Sequence, residues 1–199
     1  MRIETRKTGQ RVTIFPGEFF ISCQPVTIST LLGSCVAVCL YDRQAKVVGM
    51  NHFLLSNRRY ARHLPMSITE AGRYGIHAME LVINGMLNMG AKRRNLQAKV
   101  FGGGSIMRNP TPDDNFYCVG EVNCRFVLEY LTTEDIALIA HDLGGDRGRV
   151  VHFSAVDYAV YVRKIKRKVS QALAERDRQY WRQRLDTQEQ QIAEPELWE

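Results

Sequence analysis

The segment Cys35-Val-Ala-Val-Cys-Leu-Tyr41 stays apolar for seven residues between Gly33-Ser34 and Asp42-Arg43. A strand with one face in water alternates, so an unbroken run rich in valine reads as a strand buried on both faces. Such a strand requires packed layers above and below its sheet. Val47 to Leu55 reads as its neighbour, with the turn around Lys46, and a hairpin would set the start of the first strand near the far end of the second. Further on, Ser67-Ile-Thr-Glu70 forms a capping box, and Ala71, Gly75, Ala78, Val82 and Met86 recur at helical spacing until Gly90, which predicts a helix over 68–89. Leu96 to Phe101 reads as a short strand ending in Gly102-Gly-Gly104. Phe116 to Tyr130 is compatible with strand or helix. Thr132, with Asp135 three residues on, reads as the cap of a second helix over 132–143, closed by Gly144-Gly145. Val150 to Phe153 and Tyr158 to Val162 read as strands. This irregular alternation predicts a mixed α/β (α+β) sandwich rather than a strict parallel βαβ array.

One domain is expected over 1–162, its elements starting near residue 10, followed by a charged extension over 163–199. Between Arg163 and Arg184 there are nine basic residues against Glu175 and Asp177, and beyond that only acids follow. Ile165, Val169, Ala172, Leu173, Tyr180 and Trp181 keep helical spacing, so the extension reads as an amphipathic helix needing a surface to cover. That surface is either its own domain or a partner. The whole chain has 199 residues and a net charge of +6, with 45% hydrophobic residues, as expected of an ordinary globular protein. No stretch approaches the roughly 18 apolar residues of a membrane helix, and the polar N-terminus does not read as a signal peptide, so a cytoplasmic location is expected. Five cysteines, an odd number, argue for free thiols.

Among these thiols Cys35 has a special setting, because it follows two small residues where a loop enters a buried strand. A cysteine there can serve as a nucleophile with a backbone N–H as oxyanion donor, although a buried core thiol is the competing reading. For Cys39 the core reading is preferred. The pair Cys35-x-x-x-Cys39 lacks the second ligand pair of a zinc site, so no metal or other cofactor is expected. A free thiol is only a few per cent ionised at neutral pH and needs a base. Of the five histidines (His52, His63, His77, His141, His152), only His52 has a topological reason to approach Cys35. Gly102-Gly-Gly-Ser105 lacks the lysine and helix of a phosphate loop, which leaves close backbone approach as its use, to packed strands or at the rim of a cleft. Asp142 to Arg149 reads as a helix end followed by a solvated turn. Arg58-Arg59-Tyr-Ala-Arg62, Lys92-Arg-Arg94 and the extension form basic clusters, with no aromatic-rich nucleic-acid motif beside them.

Taken in order, Leu31-Leu-Gly-Ser-Cys-Val-Ala-Val-Cys-Leu-Tyr-Asp42, Gly49-Met-Asn-His-Phe-Leu-Leu55, Arg73-Tyr-Gly75 with Ala78-Met-Glu-Leu81, Lys99-Val-Phe-Gly-Gly-Gly104 and Asp142-Leu-Gly-Gly145 before Arg149-Val150 resemble the CheD family of bacterial chemoreceptor glutamine deamidases. The resemblance covers roughly residues 12 to 162. It implies a layered sandwich of mixed β-sheets with helices packed on one face. It also implies a protein-glutamine amidohydrolase acting on methyl-accepting chemotaxis receptors through a cysteine thioester, with Cys35 as nucleophile and His52 as base. The family pattern has a threonine six positions before the cysteine; that position is Ser29 here, followed by Thr30, and either hydroxyl can orient the imidazole. A Gly-Glu-Arg-Asn motif reads Gly120-Glu-Val-Asn123. The resemblance further implies a possible CheC-type phosphatase partner, and a non-catalytic adaptor is the alternative reading. No nucleic-acid partner and no membrane insertion are expected, and action on receptor methyl esters stays open on chemical grounds. The hydrolase reading needs Cys35 and His52 together in a crevice open to an amide side chain.

Overall fold

The computed structural model describes residues 1–6, 9–55, 70–105 and 119–193. Among the described residues, ten strands form two five-stranded sheets. The first holds β1 (Arg2–Arg6), β2 (Gly9–Thr13), β4 (Val26–Leu32), β9 (Arg149–Ser154) and β10 (Val160–Lys164), in that order. The second runs β3 (Phe19–Ser22), β6 (Val47–Asn51), β5 (Val36–Asp42), β7 (Gln97–Gly102) and β8 (Ala137–Leu143). Helices α1 (Glu70–Asn88) and α2 (Val119–Thr133) lie on the second sheet, and α3 (Arg167–Ala193) follows β10. The layered, mixed α+β sandwich is therefore as expected.

Every residue of β5 is buried, and the pleat explains why. Val36, Val38 and Leu40 pack with Met79, Val82, Phe126 and Val127 of the helices, while Ala37, Cys39 and Tyr41 pack with Val12, Ile28, Leu32, Val151 and Phe153 of the other sheet. The hairpin to β6 forms with Cys39 opposite Met50, and an isolated antiparallel bridge joins Val36 to Phe53 beyond the end of β6.

The helix expected over 68–89 is seen from Glu70 to Asn88; the rest of the capping box lies outside the described residues, as do the Arg58 cluster, His63 and Cys118. The undecided segment around residues 116–130 is helical from Val119 onward. The helix expected over 132–143 is a correction. Residues Ala137–Leu143 form β8, paired parallel to β7. Thr132, read as an N-cap, belongs to the last turn of α2 and donates to the Leu128 carbonyl (2.9 Å). Asp135 then takes the left-handed conformation (φ 52°), and the Ile136 N–H closes on the Leu131 carbonyl (2.9 Å), which ends α2 and releases an extended chain. The strands β1 to β4 have no counterpart in the sequence reading.

The stretch 142–149 also departs from a solvated turn. The Arg149 side chain is 1% exposed; it pairs with Asp142 Oδ1 (3.0 Å) and donates to the carbonyls of Asp142 and Gly144. A buried guanidinium held through its two Nη groups this way sets the loop from inside. Helix α3 covers its own chain: Leu173 and Ala174 pack with Ile165, Leu31 and Val150, and Trp181 joins the core between the sheets. Its buried face is Ser170, Leu173, Ala174, Asp177 and Trp181, whereas Val169 is 53% exposed and Ala172 is exposed, so the face is rotated from the apolar stripe and contains two polar residues. No helix among the described residues is long and apolar enough to cross a membrane.

Candidate active site

The bridge between Val36 and Phe53 orders the chemistry. Both residues point to the helices, so their neighbours Cys35 and His52 turn to the space between the sheets. Leu54 then stands opposite Cys35, which leaves His52 diagonal to it, about 7–8 Å between Cα atoms for such a pair. That is a span a thiol and an imidazole can close.

Three successive carbonyls hold the turn before β5. Gly33 O accepts from Gly104 N (2.8 Å), Ser34 O from Asn123 Nδ2 (2.8 Å) and Cys35 O from Gly103 N (2.7 Å). The glycine loop is thus used for close packing: at Gly102 (φ 117°) a Cβ would lie 2.1 Å from Cys35 O. Asn123 is fully buried and also accepts from Leu55 N (2.9 Å), so one amide ties the cysteine turn to the segment bearing His52.

Across the gap, β4 supplies the hydroxyls. Ile28, Thr30 and Leu32 share the face toward the second sheet, and Thr30 Oγ1 lies 2.7 Å from His52 Nδ1. The Thr30 hydroxyl donates its single proton to Ile14 O (2.8 Å), so toward the ring it can only accept, which places the imidazole proton on Nδ1. Nε2 is buried without a hydrogen-bond partner, its lone pair free. Ser29, one residue away, points to the opposite face, where its Oγ meets Nδ1 of His152 at 2.8 Å, directly across the ladder. Of the expected residues, His52 and Thr30 are in contact, Cys35 lies diagonal to His52 on the same face, and Ser29 points away. His77 and His141 are exposed elsewhere, and Cys39 is a core thiol pushed up by burial. Among the described residues no three His, Cys, Asp or Glu side chains gather as a metal site.

The expected open crevice is a correction: Cys35 is 0% and His52 1% exposed. Part of the cover comes from two α3 residues absent from the sequence reading of the site. The carboxylate of Asp177, itself 0% exposed, accepts at Oδ2 from Ser34 N (3.0 Å) and Ser34 Oγ (3.1 Å). Arg176 Nη2 donates to Leu31 O (3.3 Å) and to Asp177 Oδ1 (3.1 Å). Burial, and then the charge of Asp177, hold the Cys35 thiol well above its ordinary pKa, while burial, and then Arg176, push His52 down to about 3. In this state both members of the pair are neutral.

The sequence profile described as "CheD chemotactic sensory transduction" matches residues 55–164, a stretch that begins after Cys35 and His52. The chain is 51% identical over 198 residues, covering 100% of it and 98% of the relative, to "Probable chemoreceptor glutamine deamidase CheD 1" of Geobacter sulfurreducens. It is 46% identical over 171 residues to "Probable chemoreceptor glutamine deamidase CheD 2" of Shewanella oneidensis, covering 85% of this chain and 84% of that one. A solved structure, a Bacillus licheniformis hypothetical protein YfiH, aligns with 62% of this chain and 49% of its own at 15% identity and a TM-score of 0.34. Identity at this level along the full length, together with the profile, establishes that the chain belongs to the CheD family.

Proposed function

We propose that the chain is a chemoreceptor glutamine deamidase in which Cys35 is the nucleophile, His52 the base and Thr30 the residue that orients the base. The observation that carries this reading is the imidazole whose Nδ1 faces Thr30 Oγ1 at 2.7 Å while Nε2 stays unpartnered on the face it shares with Cys35. Nε2 takes the thiol proton, and the thiolate adds to the carboxamide carbon of a receptor glutamine. The oxyanion is met by backbone N–H groups of the Ser34-Cys35 turn. His52 then gives its proton to the nitrogen, the C–N bond breaks, and ammonia leaves. Water, deprotonated by the same imidazole, cleaves the thioester to glutamate and restores the thiol.

The test is mass spectrometry of a receptor fragment incubated with the wild-type chain and with Cys35→Ala. Wild type should add roughly one dalton per converted glutamine and release one ammonia, and Cys35→Ala should do neither. Ammonia release by Cys35→Ala at the wild-type rate would remove Cys35 from the reaction. A chain serving only as an adaptor for receptors or for a CheC-type phosphatase would yield no ammonia in either form.

A further inference from the structure

Asp177 is the one acid between Arg176 and Arg178, on a face of α3 otherwise lined by Ser170, Leu173, Ala174 and Trp181. Docking such a helix needs no charge there, and a buried carboxylate is costly unless donors surround it. Here donors do surround it: Ser34 N, Ser34 Oγ and Arg176 Nη2 at 3.0 to 3.1 Å. A carboxylate is also what hydrolysis of a carboxamide leaves behind. We infer that α3 is an intramolecular product mimic: Asp177 occupies the subsite in which the Ser34 N–H and hydroxyl receive the side-chain carbonyl of a substrate glutamine, and the enzyme is held off until the helix lifts.

The inference rests on Cys35 as the nucleophile. Two further observations converge on it. With α3 in place, neither Cys35 nor His52 has surface for a substrate to touch. On balance the charges brought by α3 also act against the reactive pair: Asp177 disfavours the thiolate more than Arg176 favours it, and Arg176 disfavours the imidazolium. Removing the helix admits water and withdraws both charges, so each pKa moves toward the thiolate and imidazolium form. A glutamine presented to the Ser34 turn competes with Asp177 for the same donors.

The test compares the full-length wild type with Asp177→Ala and with Trp181→Ala, which removes an apolar anchor of α3 and keeps the carboxylate. Alkylation of Cys35 by iodoacetamide is followed by peptide mass spectrometry, with exposed Cys23 as internal reference, alongside deamidation of a receptor fragment. Both variants should speed Cys35 alkylation and deamidation, Asp177→Ala by about tenfold to a hundredfold, the factor hydrogen bonds to a charged group are worth. In the unaltered chain, Cys35 alkylation across low urea should track hydrogen exchange of α3 rather than global unfolding. That last measurement decides the matter even where a variant fails to fold: alkylation that follows only global unfolding overturns the inference. So does alkylation within about twofold of wild type in the folded variants while wild type deamidates. Faster alkylation with no deamidation by any form instead counts against the deamidase reading.

Discussion

Thr30 and Ser29 are adjacent, yet the pleat of β4 sends one to His52 and the other to His152. A one-residue offset therefore decides which hydroxyl can set the tautomer of the base. Thr30→Val keeps the shape and removes the acceptor; kcat for receptor deamidation should fall by about tenfold to a hundredfold, with partial recovery in Thr30→Ser, whereas Ser29→Ala should stay within about twofold. The parity was not legible in the sequence, because Val26-Thr-Ile-Ser-Thr-Leu-Leu32 does not alternate cleanly and β4 went unread; with its strand boundaries known, the pairing of Ile28 and Leu32 with Thr30 would have chosen. His52 makes a second prediction at this scale. Its pKa is about 3 in the folded protein against 6.5 for the ordinary group. Between those values the unfolded chain binds a proton that the folded one excludes, so stability is intact above 6.5 and is lost as pH falls through that window. Urea unfolding at pH 5 and at pH 7 should differ by about 2 kcal/mol from this group alone. The difference should vanish from His52→Gln, and an equal pH dependence in that variant would reject the assignment.

At the level of elements, much of the second sheet was readable because its signals are local: an unbroken apolar run for β5, a turn at Lys46, a 3.6-residue period for α1. The helix expected at 132–143 failed for the converse reason. Thr132 and Asp135 carry cap chemistry at either end of a helix, and only the pairing of β8 with β7 decides that Ala137–Leu143 is extended. The link between Cys35 and His52 was legible as a hairpin, but its clamp was not. Asn123 lies in the segment left undecided, and its role depends on α2 crossing behind the turn. Replacing Asn123 by alanine strands Leu55 N and Ser34 O, both buried acceptor or donor positions now served by one amide. The cost should be about 2–4 kcal/mol by denaturant unfolding, with a loss of kcat larger than any change in KM, since the two halves of the site lose their common brace. Unchanged stability would mean that water or a shifted backbone serves those groups equally well.

For the molecule as a whole, the extension matters most. Its amphipathic spacing was visible, but which side docks was not, because the buried face contains Ser170 and Asp177 and a hydrophobic pattern cannot anticipate a carboxylate that meets a backbone turn 143 residues away. The extension is basic as far as Arg184, with Arg163, Lys166 and Arg182 exposed, within a chain of net charge +6. A surface of that sign draws in an acidic partner by long-range attraction, and deamidation makes its substrate more acidic with each turnover. Raising salt from 50 to 300 mM shortens the screening length from about 14 to about 6 Å, so kcat/KM on a receptor fragment should fall several-fold while kcat holds. Release of α3 would also change turnover, and the two effects separate cleanly. Iodoacetamide is uncharged and feels no steering, so its rate at Cys35 should stay flat across the same salt range. If KM is insensitive to salt, steering fails; if Cys35 alkylation rises with salt instead, ionic strength is acting on the Asp177 and Arg176 contacts and the dependence belongs to the plug.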